Sequence, residues 1–379
     1  MRIKSQMEID LSLFAENFEK LKKIAPNNEV LFMVKANAYG HGMVPIVQFA
    51  YEELGIKEFG CASLGEAIHL RDKVPDGEFE IYVFSDVQLE LKEATETYLN
   101  RRIIPVISNE SDLDYFLETN EFKHFPLCLK FNTGMNRLGI DDSRVEEVIQ
   151  KLKHKNRNEV YHLLSHFSSA SFSMFKNKKN IDQQRRFKNL KSRFLEADIN
   201  LLKTSIANSG AIEQGIGLDE THIRPGLMMY GPTSLYPQIR ERSKWDGKLI
   251  SSFSTVVVER FSVSKGTPIG YGATPCFANG VVVIIAVGYG DGFSTRYQGV
   301  ELKHKGRIGK VVGRVNMDMT QVLFEDALEE DFIVGEKFVV WDYEGESFMN
   351  ICDQSKTIPY EAFTQITSRI PKVYVTGRQ

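Results

Sequence analysis

Val30-Leu-Phe-Met-Val34-Lys35-Ala-Asn-Ala-Tyr39-Gly-His-Gly42 is a run of five apolar residues, then a lysine, then a glycine-containing stretch. Five consecutive apolar residues read as a strand buried on both faces, and the stretch after them as a turn. Lys35 therefore falls at the C-terminal mouth of a strand, where α/β enzymes gather their chemistry. Desolvation there lowers an ammonium pKa, and a neutral amine is what Schiff-base formation requires. The competing reading is a strand-end lysine that only snorkels to water, which for an arbitrary lysine is the commoner case.

Outward from this stretch the same unit repeats, with short apolar runs alternating with longer amphipathic ones up to about Gly231. The strand candidates are Val30–Val34, Phe59–Ala62, Glu80–Phe84, Ile103–Ile107, Pro126–Phe131, Tyr161–Ser165, Lys203–Ala207 and a last one near His222–Arg224. Helix patterns fall at Ile9–Ile24, Val44–Leu54, Leu64–Arg71, Leu89–Leu99, Val145–Lys153 and Ile181–Leu195. About eight β-then-α units in roughly 200 residues point to a parallel (β/α)8 barrel of the TIM type. An open doubly wound sheet has the same strand count until closure is seen.

The character changes after Pro232. Trp245–Gly247 resembles a linker, and alternating β-branched runs follow at Ser254–Glu259, Gly280–Val287, Lys310–Val315 and Lys337–Trp341, with little helix pattern between them. The expected fold class is α/β: a TIM-like barrel over residues 1–235, then a mostly antiparallel β domain over residues 236–379. The first eight residues form a strand free to join either domain.

The chain has 379 residues, a net charge of −3 and 42% hydrophobic content, which suits a soluble protein of about two domains. Balanced charge argues against nucleic acid or an anionic membrane as the main partner. The basic stretch 175–179 reads as a solvated helix face. Cys61, Cys128, Cys276 and Cys352 are far apart and show neither a disulfide framework nor zinc spacing, which fits a reducing cytoplasm. Residues 1–10 lack an apolar core long enough for a signal peptide, and no apolar stretch reaches membrane-spanning length. A cytoplasmic location is expected, with no metal site.

In barrels of this type a phosphate site is often built from the loops after the seventh and eighth strands. Asn208-Ser209-Gly210 follows the seventh run and places a hydroxyl at a helix start, while Arg224-Pro225-Gly226-Leu227 follows the eighth. Asn-Ser-Gly alone is first a turn or N-cap signal. Joined to a strand-end lysine, the two loops suggest a phosphate-bearing carbonyl cofactor, a description that pyridoxal phosphate fits.

At this point the chain resembles a family. Val34-Lys35-Ala-Asn-Ala-Tyr39-Gly-His-Gly is similar to the cofactor-lysine signature of bacterial alanine racemases. Further matches follow in the family's order: Lys130-Phe-Asn-Thr-Gly-Met-Asn-Arg137-Leu-Gly, Ser165-His166-Phe, Ala207-Asn-Ser209 and Ile223-Arg224-Pro-Gly-Leu-Met-Met-Tyr-Gly. Gly270-Tyr271-Gly-Ala-Thr, Gly288-Tyr289-Gly-Asp-Gly, Gly313-Arg-Val-Asn-Met317-Asp318 and Pro359-Tyr360-Glu complete the series. The resemblance spans essentially the whole chain.

The resemblance implies pyridoxal 5'-phosphate as cofactor, alanine as substrate and a homodimer with shared active sites. It makes Lys35 the cofactor anchor and one of two catalytic bases. Tyr271 is the second base, supplied by the partner subunit, and His166 and Arg224 link that tyrosine to the cofactor ring. Inverting a carbon by proton transfer needs a base on each face, and a free tyrosine, with a pKa of about 10, needs help to serve. Arg224, a donor with no acceptor, would face an unprotonated ring nitrogen where many enzymes of this cofactor place a carboxylate.

By the same resemblance Arg137 and the Met317 backbone N–H clamp the substrate carboxylate, and Lys130 matches a lysine often carbamylated to hold that arginine. Tyr39, Ser209 and Tyr360 match phosphate contacts, with Gly226 and Leu227 in the adjoining loop. Tyr289 lies near the substrate entrance, which Asp318 helps to order. Three departures touch the pocket: Asn132 stands where aspartate is usual, Asn136 where glycine is common, and Ser165–Ser171 lacks an aspartate that often ends its motif. They bear on substrate preference, so a related racemase acting on serine or a broader set is the alternative reading. A non-catalytic cofactor-binding protein would need only the barrel.

Overall fold

A computed structural model describes residues 4–377. Met1, Arg2 and Ile3 of the expected N-terminal strand lie outside the described residues. Eight parallel strands follow one another around the N-terminal half: Glu29–Met33, Glu58–Ser63, Glu80–Asp86, Ile103–Ile107, Cys128–Asn132, Glu159–Leu164, Asn200–Ser205 and His222–Ile223. They are called the first to eighth barrel strands below. From the first to the seventh each pairs in parallel with the next, and the eighth pairs with the first through His222–Glu29 and Ile223–Val30.

The seam between the seventh and eighth strands decides barrel over open sheet. A parallel bridge joins Asn208 to Arg224, and the Arg224 N–H donates to the Ala207 carbonyl at 3.0 Å. One turn earlier the Thr204 N–H donates to Thr221 Oγ1 at 2.8 Å, so side chains supply bonds that the short eighth strand cannot. The sheet is thereby nearly closed. Leu31, Tyr82, Ile104, Val106, Cys128 and Leu164 fill part of its interior.

Most helices sit where the periodicity places them: Leu11–Ile24, Met43–Glu52, Leu64–Lys73, Lys92–Arg101, Val145–His154 and Lys178–Glu196. Helix Leu11–Ile24 begins where Asp10 accepts from the Ser12 and Leu13 N–H groups, and Lys22 and Lys23 complement its C-terminal dipole. Phe14 and Leu21 bury its apolar face. Asn17 on that face is buried too, because it bonds the Met229 and Lys248 carbonyls and the Lys248 N–H. The expected linker at Trp245 is docked: the indole is buried and donates to the Gly231 carbonyl at 2.8 Å.

The second sheet is built on the thirteen-residue strand Ser251–Val263, which pairs antiparallel with Gln6–Asp10, Gly280–Ile285 and Lys337–Trp341. Gln6–Asp10 thus joins this sheet, where it also pairs in parallel with Lys372–Val375. Thr320–Glu325 extends the sheet beyond Gly280–Ile285, followed by Arg307–Val311 and Glu301–His304. Two helices, Glu346–Gln354 and Pro359–Thr364, depart from the expected near-absence of helix. Each is under ten residues, too short for two full periods to stand out in sequence. Among the described residues no helix is long and apolar enough to cross a membrane.

Candidate active site

The first barrel strand ends at Met33, and Lys35 opens an unusual turn. Ala36, Asn37, Ala38 and Tyr39 all have positive φ, between 51° and 54°. A left-handed conformation costs about 1–2 kcal/mol for each such residue, so the surroundings must enforce it. Asn37 Oδ1 accepts from the Met43 N–H at 2.8 Å, and Glu66 Oε1 accepts from the Ala36 N–H at 2.7 Å. The second domain clamps the far side. Helix Pro359–Thr364 packs so closely that a Cβ at Gly40 (φ 81°) would collide with the Phe363 carbonyl. His41 stacks on Tyr230 and meets Phe363 edge-on.

The phosphate-loop residues converge beside this turn. Ser209 Oγ accepts from the Gly226 N–H at 2.9 Å and the Met228 N–H at 3.4 Å. A Cβ at Gly226 would collide with the Tyr39 hydroxyl, so only glycine lets the two loops approach this closely. The Tyr39 and Tyr360 rings lie 5.7 Å apart, and the Tyr360 hydroxyl is 3.4 Å from Ser234 Oγ. Burial pushes Tyr39 up and Tyr360 up to about 12, so both phenols remain donors at neutral pH. Leu227 is fully buried beneath them.

Across the mouth stand basic groups with few counter-charges. Burial lowers the Lys35 ammonium pKa, helped by Arg137 and Arg224 and opposed by Glu66. Burial, then Arg224, Arg137 and Lys35, push Lys130 down to about 8. Burial alone brings Arg224 down to about 9, which still leaves it charged at pH 7. Arg224 donates through Nη1 to Ser205 Oγ and through Nη2 to the Ser165 carbonyl. Neither Arg224 nor Lys130 has a carboxylate within ion-pair distance among the described residues. A pocket holding four basic groups and little countercharge is suited to anions.

His166 is held neutral, well below its usual pKa, by burial and then by Arg224 and Lys130. Arg224 Nη2 lies 3.4 Å from its Nδ1, and Asn208 Nδ2 lies 3.3 Å from its Nε2. Both approaching groups are donors and a neutral imidazole has one acceptor, so only one contact is a hydrogen bond at a time. Arg137 sits exposed on the loop after the fifth barrel strand. Asn132 Oδ1 accepts there from the Gly134 and Asn136 N–H groups, and Asn132 Nδ2 donates to Asn136 Oδ1 at 3.0 Å. Two of the three departures from the family pattern therefore bond each other, a link a carboxylate at 132 could not donate.

The structure brings Lys35, Tyr39, Lys130, Arg137, His166, Ser209, Arg224, Gly226, Leu227 and Tyr360 to one mouth. Tyr271, Tyr289, Met317 and Asp318 lie elsewhere. Among the described residues, no hydrogen bond, ion pair or ring contact joins any of these four to the barrel-mouth group. Tyr271 tips a hairpin between Pro268–Ile269 and Thr274–Pro275 and is 70% exposed. Tyr289 and Met317 lie back to back, the Tyr289 N–H donating to the Asn316 carbonyl and the Gly290 N–H to that of Met317, each at 2.9 Å. Asp318 pairs with Arg369 at 2.7 Å. Tyr271, Tyr289, Met317 and Met319 are large exposed hydrophobic side chains of the second domain.

A family model described as the alanine racemase N-terminal domain matches residues 9–234, and one described as the C-terminal domain matches residues 250–374. The chain belongs to the alanine racemase family. An alanine racemase of Clostridium kluyveri is 30% identical over 98% of this chain and 94% of its own length. The biosynthetic alanine racemase of Pseudomonas aeruginosa superposes with a TM-score of 0.83 at 26% identity, covering 99% of this chain and all of that one. The fold also matches the Bartonella henselae alanine racemase solved with covalently bound pyridoxal phosphate. There the TM-score is 0.86 and the identity 23%, over 99% of this chain and all of that one.

Family members are pyridoxal-phosphate enzymes, and the residues present fit that group. A buried arginine with no acid partner suits a neutral ring nitrogen, and the Tyr39–Ser209–Gly226–Tyr360 cradle offers donors to a phosphate. Among the described residues no cluster of His, Cys, Asp or Glu could hold a metal ion. Glu66 was not singled out in the sequence, although Ser63-Leu-Gly-Glu66 carries a capping-box signature. Ser63 does cap the helix, accepting from the Glu66 N–H at 3.2 Å. The Glu66 carboxylate, however, turns to the Ala36 and Ala62 N–H groups and braces the Lys35 turn.

Proposed function

We propose that this chain interconverts L- and D-alanine, with Lys35 and Tyr271 as bases on opposite faces of the reacting carbon. The observation that carries the reading is the barrel mouth itself, where a lysine of lowered pKa adjoins a phosphate cradle and a buried arginine without a carboxylate. When bound, the cofactor supplies a carbonyl that condenses with amines and a ring that withdraws electrons from the carbon losing its proton. Lys35 would anchor it, and its Nζ, freed when the substrate amine takes its place, would accept or return the proton on one face. Tyr39, Ser209, Gly226, Leu227 and Tyr360 hold the phosphate end.

Arg224 would donate to the ring nitrogen and could not keep it protonated as a carboxylate would, which would moderate electron withdrawal and disfavour side reactions such as transamination. Arg137 takes the substrate carboxylate in a bidentate fork. Lys130, with a pKa near 8, has a free-amine fraction at neutral pH that suits carbamylation, which would give Arg137 a negative partner. Tyr271 is remote from Lys35 in its own chain, so we infer a homodimer in which the partner subunit's Tyr271 and Met317 complete each site. His166, whose Nδ1 lies 3.4 Å from Arg224 Nη2, would then link that tyrosine through Arg224 to the cofactor ring. Tyr289 and Asp318 border the entrance.

We place the barrel at residues 1–235 and the β domain at 236–379, with the first strand lent to the β sheet. We further infer a cytoplasmic enzyme whose D-alanine serves peptidoglycan synthesis. The test is reconstitution with pyridoxal phosphate and polarimetry on L-alanine, with L-serine and L-lysine in parallel. Decay of rotation with alanine, faster than with the others, is expected. Unchanged rotation with alanine would sink the reading.

A further inference from the structure

Below the mouth, the barrel interior carries polar residues that the reaction just described does not use. Ser205, the last residue of the seventh strand, receives the Arg224 Nη1 donor. Its Oγ lies 2.7 Å from Nε2 of His162 on the sixth strand, and that ring is fully buried. Beneath it the His222 ring is 5.3 Å away, with Nε2 3.0 Å from Glu58 Oε1, which also receives Lys203 Nζ at 2.9 Å. Inward-facing charged and imidazole groups at these depths are costly unless each is partnered.

The donors in this column can be assigned by counting. Arginine has no acceptor, so Ser205 Oγ must accept from Arg224. If the Ser205 hydroxyl donates on to His162 Nε2, one buried group is left unmet, the N–H at Nδ1. If instead His162 Nε2–H donates to Ser205, two are left unmet, the serine proton and the Nδ1 lone pair. His162 Nδ1 indeed has no partner among the described residues. The first arrangement wins, and it runs one way: Arg224 to Ser205 to His162. In such a chain each donor polarises the next, so Ser205 becomes a better acceptor for the guanidinium because His162 draws on its proton.

We propose that Ser205 and His162 are positioning residues that fix the guanidinium of Arg224 where it meets the cofactor ring. Arg224 has no carboxylate to orient it, and the neutral Ser205–His162 pair performs that task without adding a negative charge that would favour a protonated ring. The placement of Arg224 against the ring rests on the functional reading above; the hydrogen-bond column does not.

The test uses the full-length chain. Ser205→Ala and His162→Leu should each weaken pyridoxal phosphate binding to the apo-chain, followed by protein fluorescence, by about tenfold. Both should lower kcat for L-alanine by about tenfold while KM stays within about twofold, and Ser205→Thr should recover most of the loss. Cofactor affinity and kcat both within about twofold of the unaltered protein, or a loss confined to the melting temperature, overturns the proposal. Should either variant fail to fold, nitrogen NMR of the histidine-labelled, unaltered holoenzyme decides. It should show His162 neutral with its proton on Nδ1 from about pH 5 to 9, and a proton on Nε2 contradicts the column. Cofactor binding without any racemisation by the unaltered chain would defeat the functional reading and leave the tautomer result standing.

Discussion

At Lys35 two effects pull against each other. Burial and the charges of Arg137 and Arg224 favour the free amine, while Glu66 favours the ammonium. The balance leaves a lysine able to anchor a carbonyl and to carry a proton. Lys35→Ala should lower racemisation by at least about 10²–10⁴-fold and abolish covalent cofactor retention, read by absorption after borohydride reduction and denaturing dialysis. Tyr271→Phe should differ: cofactor binding stays intact, while α-proton exchange from L-alanine into deuterated water falls by about 10²–10⁴-fold, far more than exchange from D-alanine. Equal losses from both isomers would place the second base elsewhere. Lys35 was legible in sequence because its strand, turn and glycines are contiguous. Glu66, Ser205 and His162 were not, because each matters through a partner on a different strand or loop.

Elements hold that chemistry through strain and close approach. Four consecutive left-handed residues after Lys35 persist because the β domain packs against them, chiefly through His41, whose Nδ1 meets the Tyr39 carbonyl at 3.0 Å and whose Nε2 meets Ser251 Oγ at 3.2 Å. Burial pushes the His41 pKa down to about 3. An unfolded chain takes up a proton at this residue near pH 6.5, whereas the folded chain refuses it until about pH 3. Stability from this group is therefore complete above pH 6.5 and drains away as pH falls toward 3. Denaturant midpoints at pH 7 and 5 should show a smaller acid loss in His41→Gln than in the unaltered chain, and equal losses would contradict this. Gly226→Ala should cost about 1–3 kcal/mol in unfolding free energy, because its methyl meets the Tyr39 hydroxyl, and should weaken cofactor binding in the same variant.

For the molecule as a whole, eight strand positions read from apolar runs all became barrel strands, with ends shifted by no more than a few residues. Closure was not legible, because the seam depends on Thr204, Thr221 and the Asn208–Arg224 bridge, none of which a period reveals. The long strand Ser251–Val263 appeared as a shorter run because its two register shifts interrupt the alternation. The placement of Tyr271 away from Lys35 is a property of no single element. If Tyr271 is the second base, as proposed, a second chain must bring it to Lys35, and that is the central claim.

Subunit mixing tests it most directly. Lys35→Ala and Tyr271→Phe chains, each inactive alone, are unfolded together, refolded with pyridoxal phosphate and assayed on L-alanine. If the two bases come from different subunits, a mixed dimer holds one intact site and one doubly altered site. Random pairing then restores about a quarter of the unaltered specific activity. Activity no greater than the sum of the two separate variants would contradict a shared site.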